Sequence, residues 1–386
     1  MDTIFVQIAS YRDTELPLTI RSAIDSAKHP ERLRFGICWQ YDEQTFLDLD
    51  EFINDSRFRI SQFYYEQSKG CCWARNQTNL LYRDETFTLQ IDAHTRFAQN
   101  WDERFIRALK SINSDKPLLS TYPAPFVYKD GAEFRHTNHG MQRLILNRMM
   151  SNLTTVFKGE VVDDRSKPVP SKFIGAGQIF TLGRFCREVE YDPGLYFSGE
   201  EISLSARAYT HGYDFYCPNE DLLWHFYQHS MPIHNNDHQK NQHGQALSRL
   251  HALFIDDHTK LGKYGLGDER SLSDFEEYAQ INFVESMNRK PVKCHYDKSF
   301  DLDFSRIEQR DDYDYWVLAL MDIDGNEIYR KDLSLDQLPT EKNSSHHFDV
   351  ELDDEPISYM LWPHTKNDGF MPQVILDVPD AARLNS

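Results

Sequence analysis

No apolar run here reaches the roughly 18 to 20 residues needed to cross a bilayer. Nor does a basic-then-apolar leader open the chain, which starts Met1-Asp-Thr-Ile-Phe as a strand does. A soluble, cytoplasmic protein with no membrane span is expected. Positive charge is scarce, with 42 Lys and Arg against 61 Asp and Glu, for a net charge of −19. That balance argues against a broad basic surface for nucleic acid or anionic lipid. An anionic ligand must then be met locally by a metal, a few Arg or Lys and backbone amides. Cysteine is sparse, with 6 in 386 residues, and Cys71 and Cys72 are adjacent with no C-x-x-C pair anywhere. This is neither a disulfide framework nor a zinc site, so reduced thiols, including a buried Cys38, are expected. No internal repeat is visible.

What is present is alternation. Thr3 to Ala9 reads as a buried strand, Glu15 to Ala27 as a helix with Leu16, Ile20, Ala23, Ile24 and Ala27 on one face, and Arg34 to Gln40 as a second strand. Leu47 to Asn54 reads as a helix, Phe58 to Tyr65 as a strand, Gly70 to Tyr82 as a loop and helix, and Thr86 to Ile91 as a fourth strand. Such alternation specifies a parallel sheet covered on both faces. Trp101 to Ser111 is helical, Leu118 to Tyr122 a strand, and residues 129 to 170 look irregular and polar. Phe173 to Leu182 is a strand spaced by glycines, Ser198 to His211 a helix, and Tyr213 to Pro218 and Leu222 to Tyr227 short strands. His234, His238, His243, His251 and His258 tempt a second metal site, but none of them is expected as a ligand. Beyond Asn288 hairpin signals replace helices, notably Trp316 to Met321, the turn Asp322 to Asn326, and Ile357 to Trp362. The expected fold is α/β: residues 1–287 as a Rossmann-like nucleotide-binding domain and 288–386 as a small all-β, sandwich-like module.

The chemistry concentrates at Leu89-Gln-Ile-Asp-Ala-His94, where an apolar strand ends in Asp92 and His94. Residues i and i+2 of a strand face the same way, and open α/β sheets bind ligands at strand carboxyl ends. Such a pair can hold a divalent cation that binds a diphosphate and neutralises it as a leaving group. Alone, the tripeptide fits a helix cap and a surface residue better. Three further segments raise it. Gly70-Cys-Cys-Trp-Ala-Arg75-Asn76 sets Arg75 and Asn76 at a helix start suited to phosphate or ribose. Phe197-Ser-Gly-Glu-Glu201 opens a helix with two carboxylates beside a glycine, although acidic first turns also serve the helix dipole. Finally, His225 interrupts the apolar strand Leu222 to Tyr227.

In this order the segments resemble retaining glycosyltransferases with a GT-A fold, specifically the GlcNAc-transferase family that includes the cytoplasmic enzyme modifying hydroxyproline on Skp1. The resemblance runs through Ile8-Ala-Ser-Tyr-Arg-Asp13, Gly70-Cys-Cys-Trp-Ala-Arg75, Gln90-Ile-Asp-Ala-His-Thr-Arg-Phe97 with Trp101-Asp102, and Gly199-Glu-Glu-Ile-Ser-Leu-Ser-Ala-Arg207 with Thr210-His-Gly-Tyr213. It covers roughly residues 1 to 265. The run from Gly199 to His225 is also similar to polypeptide GalNAc-transferases, which pair Asp-x-His with a distant His at manganese. By position the resemblance implies Asp92, His94 and His225 as ligands of Mn²⁺ or Mg²⁺, a UDP-sugar donor with GlcNAc as the sugar, retention at the anomeric carbon, and a hydroxyl acceptor on a protein or glycan. In the expected mechanism Ser10, Tyr11, Arg12, Asp13, Arg75 and Asn76 hold the nucleotide. Gly175 and Gly177 let the sugar lie against the backbone, and Glu200 and Glu201 act as the catalytic pair on sugar or acceptor hydroxyls. Two alternatives stand beside this reading. One is a non-catalytic GT-A-like scaffold that binds glycan or nucleotide. The other is a metal-dependent nucleotidyltransferase or hydrolase.

Overall fold

The computed structural model describes residues 2–383 except 45–48, 130, 138–139, 151, 228–242, 289–293, 308–309, 323–326, 335–342, 353–354, 366–368 and 372. His234, His238 and most of the turn at residues 322–326 therefore lie outside the described residues. The chain divides into two compact units, Met1–Phe126 with Arg135–Met287, and Val127–Phe134 with Asn288–Ser386.

Up to residue 287 the strands are β1 (Ile4–Tyr11), β2 (Leu33–Tyr41), β3 (Phe58–Tyr64), β4 (Phe87–Asp92), β5 (Thr95–Phe97), β6 (Pro117–Ser120), β7 (Ala124–Lys129, which runs on into the second unit), β8 (Ala132–Arg135, which belongs to the second unit up to Phe134), β9 (Met141–Met149), β10 (Thr155–Val162), β11 (Val169–Pro170), β12 (Gln178–Leu182), β13 (Asp214–Cys217) and β14 (Leu223–Phe226). Eight of them form one sheet in the order β11-β13-β6-β12-β4-β1-β2-β3. β1 to β4 run parallel, and their apolar side chains, such as Ile4, Val6, Ile8, Phe35, Ile37, Leu89 and Ile91, are buried. This is what strands enclosed on both faces require. β12 runs antiparallel to both β4 and β6, so the sheet is mixed where sequence alternation implied a wholly parallel one. A smaller sheet joins β5, β14 and the Ala124–Phe126 part of β7. It takes the chain leaving β4, pairing His225 with Thr95 and Trp224 with Arg96.

Two local expectations are corrected. Residues 129–170 are not irregular: β9 and β10 form an antiparallel pair from Met141 to Val162. β10 leaves Val156 and Val161 exposed and β9 carries the unbroken apolar run Leu144 to Leu146, which blurs the period-2 signal. The strand expected from Phe173 begins only at Gln178. Before it, backbone groups that a strand would spend on a neighbour go to side chains: Gly175 N donates to Ser120 Oγ, Ala176 N to Glu201, and Ala176 O accepts from Arg75 and Gln90. The helix Leu16–Ser26 packs Leu16, Ile20 and Ala23 inward. The helix Glu200–Thr210 begins after Gly199, whose φ of 89° is left-handed and where a Cβ would collide with Leu250. Cys38, Cys71, Cys72, Cys186 and Cys217 are free thiols. Among the described residues no helix is long and apolar enough to cross a membrane.

The second unit contains β15 (Cys294–Asp303), β16 (Tyr313–Met321), β17 (Glu327–Ser334), β18 (Asn343–Leu352), β19 (Ser358–Thr365), β20 (Gly369–Phe370) and β21 (Val374–Asp377). β15 pairs with β18, and β16 and β19 form the middle of a second sheet. Trp316, Leu318 and Leu320 alternate inward along β16 to meet Tyr296, Phe300 and Phe348 in one apolar core. The two sheets of this unit thus share one core.

Candidate active site

β4 ends at Asp92, and the chain bends at Ala93 and His94 before entering β5. The strand-alternation argument for the Asp92–His94 pair thus yields to a bend, and a buried hydroxyl fixes its shape. Thr19 Oγ lies 2.6 Å from Ala93 O and 3.0 Å from Thr95 O, and accepts from Thr95 N at 2.9 Å. The antiparallel β14 then brings in His225, with Phe226 N donating to His94 O at 3.0 Å.

The outcome is convergence. His94 Nε2 and His225 Nε2 are 2.9 Å apart, and His225 Nε2 is 3.0 Å from Asp92 Oδ2. One ligand atom from each of the three lies within 4.8 Å of the others. His94 Nδ1 is 2.6 Å from Asp13 Oδ2. The carboxylate accepts the Nδ1 proton and so leaves a lone pair on Nε2, as partners of metal-bound imidazoles do. Among the described residues His225 Nδ1 is buried with no hydrogen-bond partner, so this ring is held by Nε2 and by packing on Tyr227 and His94. Burial opposes ionisation of Asp92, yet the Arg75 charge and the His225 hydrogen bond hold its carboxyl well below the usual carboxylate range. Burial also disfavours a charged His94, but Asp13 outweighs it and raises that imidazole; at His225 burial prevails and lowers it. One carboxylate and two imidazole nitrogens aimed at one point are a fitting donor set for a divalent cation such as Mn²⁺.

Arg75, expected at the nucleotide, lies beneath this group. It is 7 % exposed, with Nη1 donating to Ala176 O at 2.8 Å, Nη2 to Asp92 Oδ1 at 2.8 Å, and Nε 3.0 Å from Glu200 Oε1. Its planar fork ties the metal-side carboxylate to the helix Glu200–Thr210, a geometry that a lysine ammonium lacks. Asn76 is likewise turned inward, its Nδ2 donating to Tyr191 O at 2.9 Å. Glu200 accepts from Cys71 Sγ at 3.1 Å. Glu201 accepts from Ala176 N and Tyr122 Oη, both at 2.9 Å, and burial pushes its carboxyl up to about 7. Gly177 lets the turn before β12 pass Asp92, since a Cβ there would sit 3.2 Å from Asp92 Oδ2; at Gly175 it would press on Tyr122 and Leu144.

At the carboxyl end of β1, Ser10 Oγ is buried without a hydrogen-bond partner among the described residues and Tyr11 is half-buried. Arg12 adopts φ 50°, pairs with Asp42 at 2.7 Å and stacks over Tyr65. Asp13 thus stands apart from Ser10 to Arg12, facing His94. Sequence reasoning missed Thr19, Tyr122 and Tyr191. Tyr122 carried a signal, since it stands two residues past the end of β6. Thr19 looked like any residue on a buried helix face.

A family model described as "Glycosyltransferase (GlcNAc)" matches residues 3–48 and 43–285. A crystal structure of GalNAc-T7 with UDP, GalNAc and Mn²⁺ is similar at a TM-score of 0.52 and 14% identity, over 96% of this chain and 68% of that one. A structure of S. aureus TarS 1-349 in complex with UDP-GlcNAc is similar at a TM-score of 0.44 and 12% identity, over 74% of this chain and 72% of that one. No curated relative matches the chain. The mixed sheet with its helices corresponds to a GT-A fold, and the match across most of the first unit decides the assignment: the chain belongs to the GlcNAc glycosyltransferase family.

Proposed function

We propose that this glycosyltransferase is a metal-dependent, retaining enzyme that moves GlcNAc from UDP-GlcNAc to a hydroxyl on a protein or glycan, acting in the cytoplasm. The observation that carries the reading is the convergence of Asp92, His94 and His225, with Asp13 setting the His94 lone pair. When bound, Mn²⁺ or Mg²⁺ would supply charge neutralisation for the departing diphosphate, worth several kcal/mol. Asp92 stays ionised because Arg75 stands beside it, and Arg75 in turn keeps Glu200 in register with Asp92. Ser10 and the aromatic strand ends near Arg12 offer hydroxyl and ring contacts to the nucleoside. Glu201, whose carboxyl is pushed up to about 7, can both accept from and donate to a sugar or acceptor hydroxyl near neutral pH. Glu200 is held by Arg75 and Cys71, and Glu201 by Ala176 and Tyr122. Neither is offered as a nucleophile, so the acceptor hydroxyl attacks on the face from which the diphosphate leaves. Residues 1–287 form the catalytic unit in this proposal, and 288–386 assist acceptor binding or assembly.

The test is to incubate the protein with Mn²⁺ and a panel of UDP-sugars, with and without hydroxyl acceptors, and to measure UDP and free sugar. UDP-GlcNAc should turn over fastest, and chelation or His225→Ala should abolish release. Equal turnover in chelator would overturn the metal role, and a folded protein that binds no UDP-sugar would overturn the donor.

A further inference from the structure

Cys71 and Cys72 open the helix Cys71–Asn79, and the proposed transfer uses neither thiol beyond the hydrogen bond from Cys71 to Glu200. Cys71 Sγ donates to Glu200 Oε2 at 3.1 Å, and the two sulfurs and a Glu200 oxygen all lie within 4.8 Å of one another. Cys72 is enclosed and Glu200 nearly so, while Cys71 is partly exposed, so the cluster is approached from the Cys71 side. Two sulfurs and one oxygen suit a soft or borderline cation of the zinc and cadmium kind, whereas Asp92, His94 and His225 offer only nitrogen and oxygen. Cys38, Cys186 and Cys217 join no such group among the described residues.

We propose that Cys71, Cys72 and Glu200 form an inhibitory site for a thiophilic divalent cation, distinct from the Asp92, His94 and His225 group. Binding forms two metal–sulfur bonds and one metal–oxygen bond, releases two thiol protons to solvent and changes no oxidation state. The ion competes with Arg75 for Glu200. Because Arg75 Nη2 also holds Asp92 at 2.8 Å, occupancy unfastens the link between the two carboxylates. The inhibition, though not the binding, rests on the role proposed for Glu200.

Cd²⁺ is the probe, titrated into the full chain with Mn²⁺ in excess while thiolate-to-cadmium charge-transfer absorption and UDP release are both followed. The absorption should saturate at one ion per chain, with UDP release falling along the same curve. Cys72→Ala leaves the Cys71 thiol on Glu200 and should transfer at the parental rate without Cd²⁺. Its Cd²⁺ affinity should drop by about a hundredfold or more, the upper end of what even a ligand's partner contributes. Cys71→Ser keeps a hydroxyl to donate to Glu200, should lose the absorption equally and serves if the alanine variant does not fold. Unchanged absorption in these variants would put the ion on other thiols and overturn the site. Absorption lost with inhibition unchanged would overturn its inhibitory role, and the absorption reads the site even where no acceptor supports turnover.

Discussion

Replacing Asp13 by Asn is expected to harm metal binding more than replacing it by Ala, although Asn is the closer match in shape. Asp13 Oδ1 accepts from Glu15 N at 2.9 Å, while Oδ2 stands 2.6 Å from His94 Nδ1. In Asp13→Asn the amide carbonyl keeps the Glu15 N–H, which turns the NH₂ toward Nδ1. A donor there needs a lone pair opposite it, so the imidazole proton moves to Nε2 and points at the cation's position. Asp13→Ala only removes an acceptor and leaves both tautomers open. A charge-assisted hydrogen bond is worth roughly 1.5–3 kcal/mol. At about 1.4 kcal/mol per decade, Ala should weaken Mn²⁺ binding roughly tenfold to a hundredfold or somewhat more. Asn should weaken it further. The assay is titration of Mn²⁺ by the paramagnetic resonance of the free ion, with melting curves to confirm that each variant is folded. An Asn variant that binds Mn²⁺ as tightly as the parent, or more tightly than Ala, would refute the tautomer argument.

Burial raises the Glu201 carboxyl from an ordinary 4.5 to about 7. Stability from this group is therefore fully present below pH 4.5 and lost as pH rises through about 7, amounting to about 3 kcal/mol; Glu201→Gln should flatten that fall in melting temperature, and an unchanged slope would count against it. Gly199→Ala forces a side chain into φ 89° and against Leu250, and should cost about 2 to 5 kcal/mol, read as a lower denaturant midpoint; an unmoved midpoint would contradict the clash. Ending the chain near residue 288 should leave Mn²⁺ and UDP-sugar binding largely intact while weakening transfer to a natural acceptor; a still-folded truncation that has lost donor binding would sink that division of labour.

Local pattern made the main elements legible. The apolar runs Ile4–Tyr11 and Phe87–Asp92 and the helix Glu200–Thr210 each announce themselves by period or by a glycine at the start. Asp92, His94 and His225 stood out because polar residues on apolar strands are conspicuous. What stayed hidden depends on which partner each side chain meets. Asp13 read as a nucleotide loop because nothing local says that it meets His94, 81 residues away. Arg75 at a helix start looks the same whether it faces phosphate or, as here, lies buried between two carboxylates. The antiparallel course of β12 is equally nonlocal, since an apolar strand reads the same in either direction.

The bend at Ala93 and His94 has a mechanical consequence. The oxygen that assigns the His94 proton sits on Asp13, and the hydroxyl that shapes the backbone around His94 sits on Thr19, six residues on and one turn into the helix Leu16–Ser26. Thr19 rides in the first turn of that helix and Asp13 stands three residues before it, so the ring and the bend are both set by one short stretch of chain. The nitrogen's aim therefore depends on the joint between Asp13 and the first helical turn.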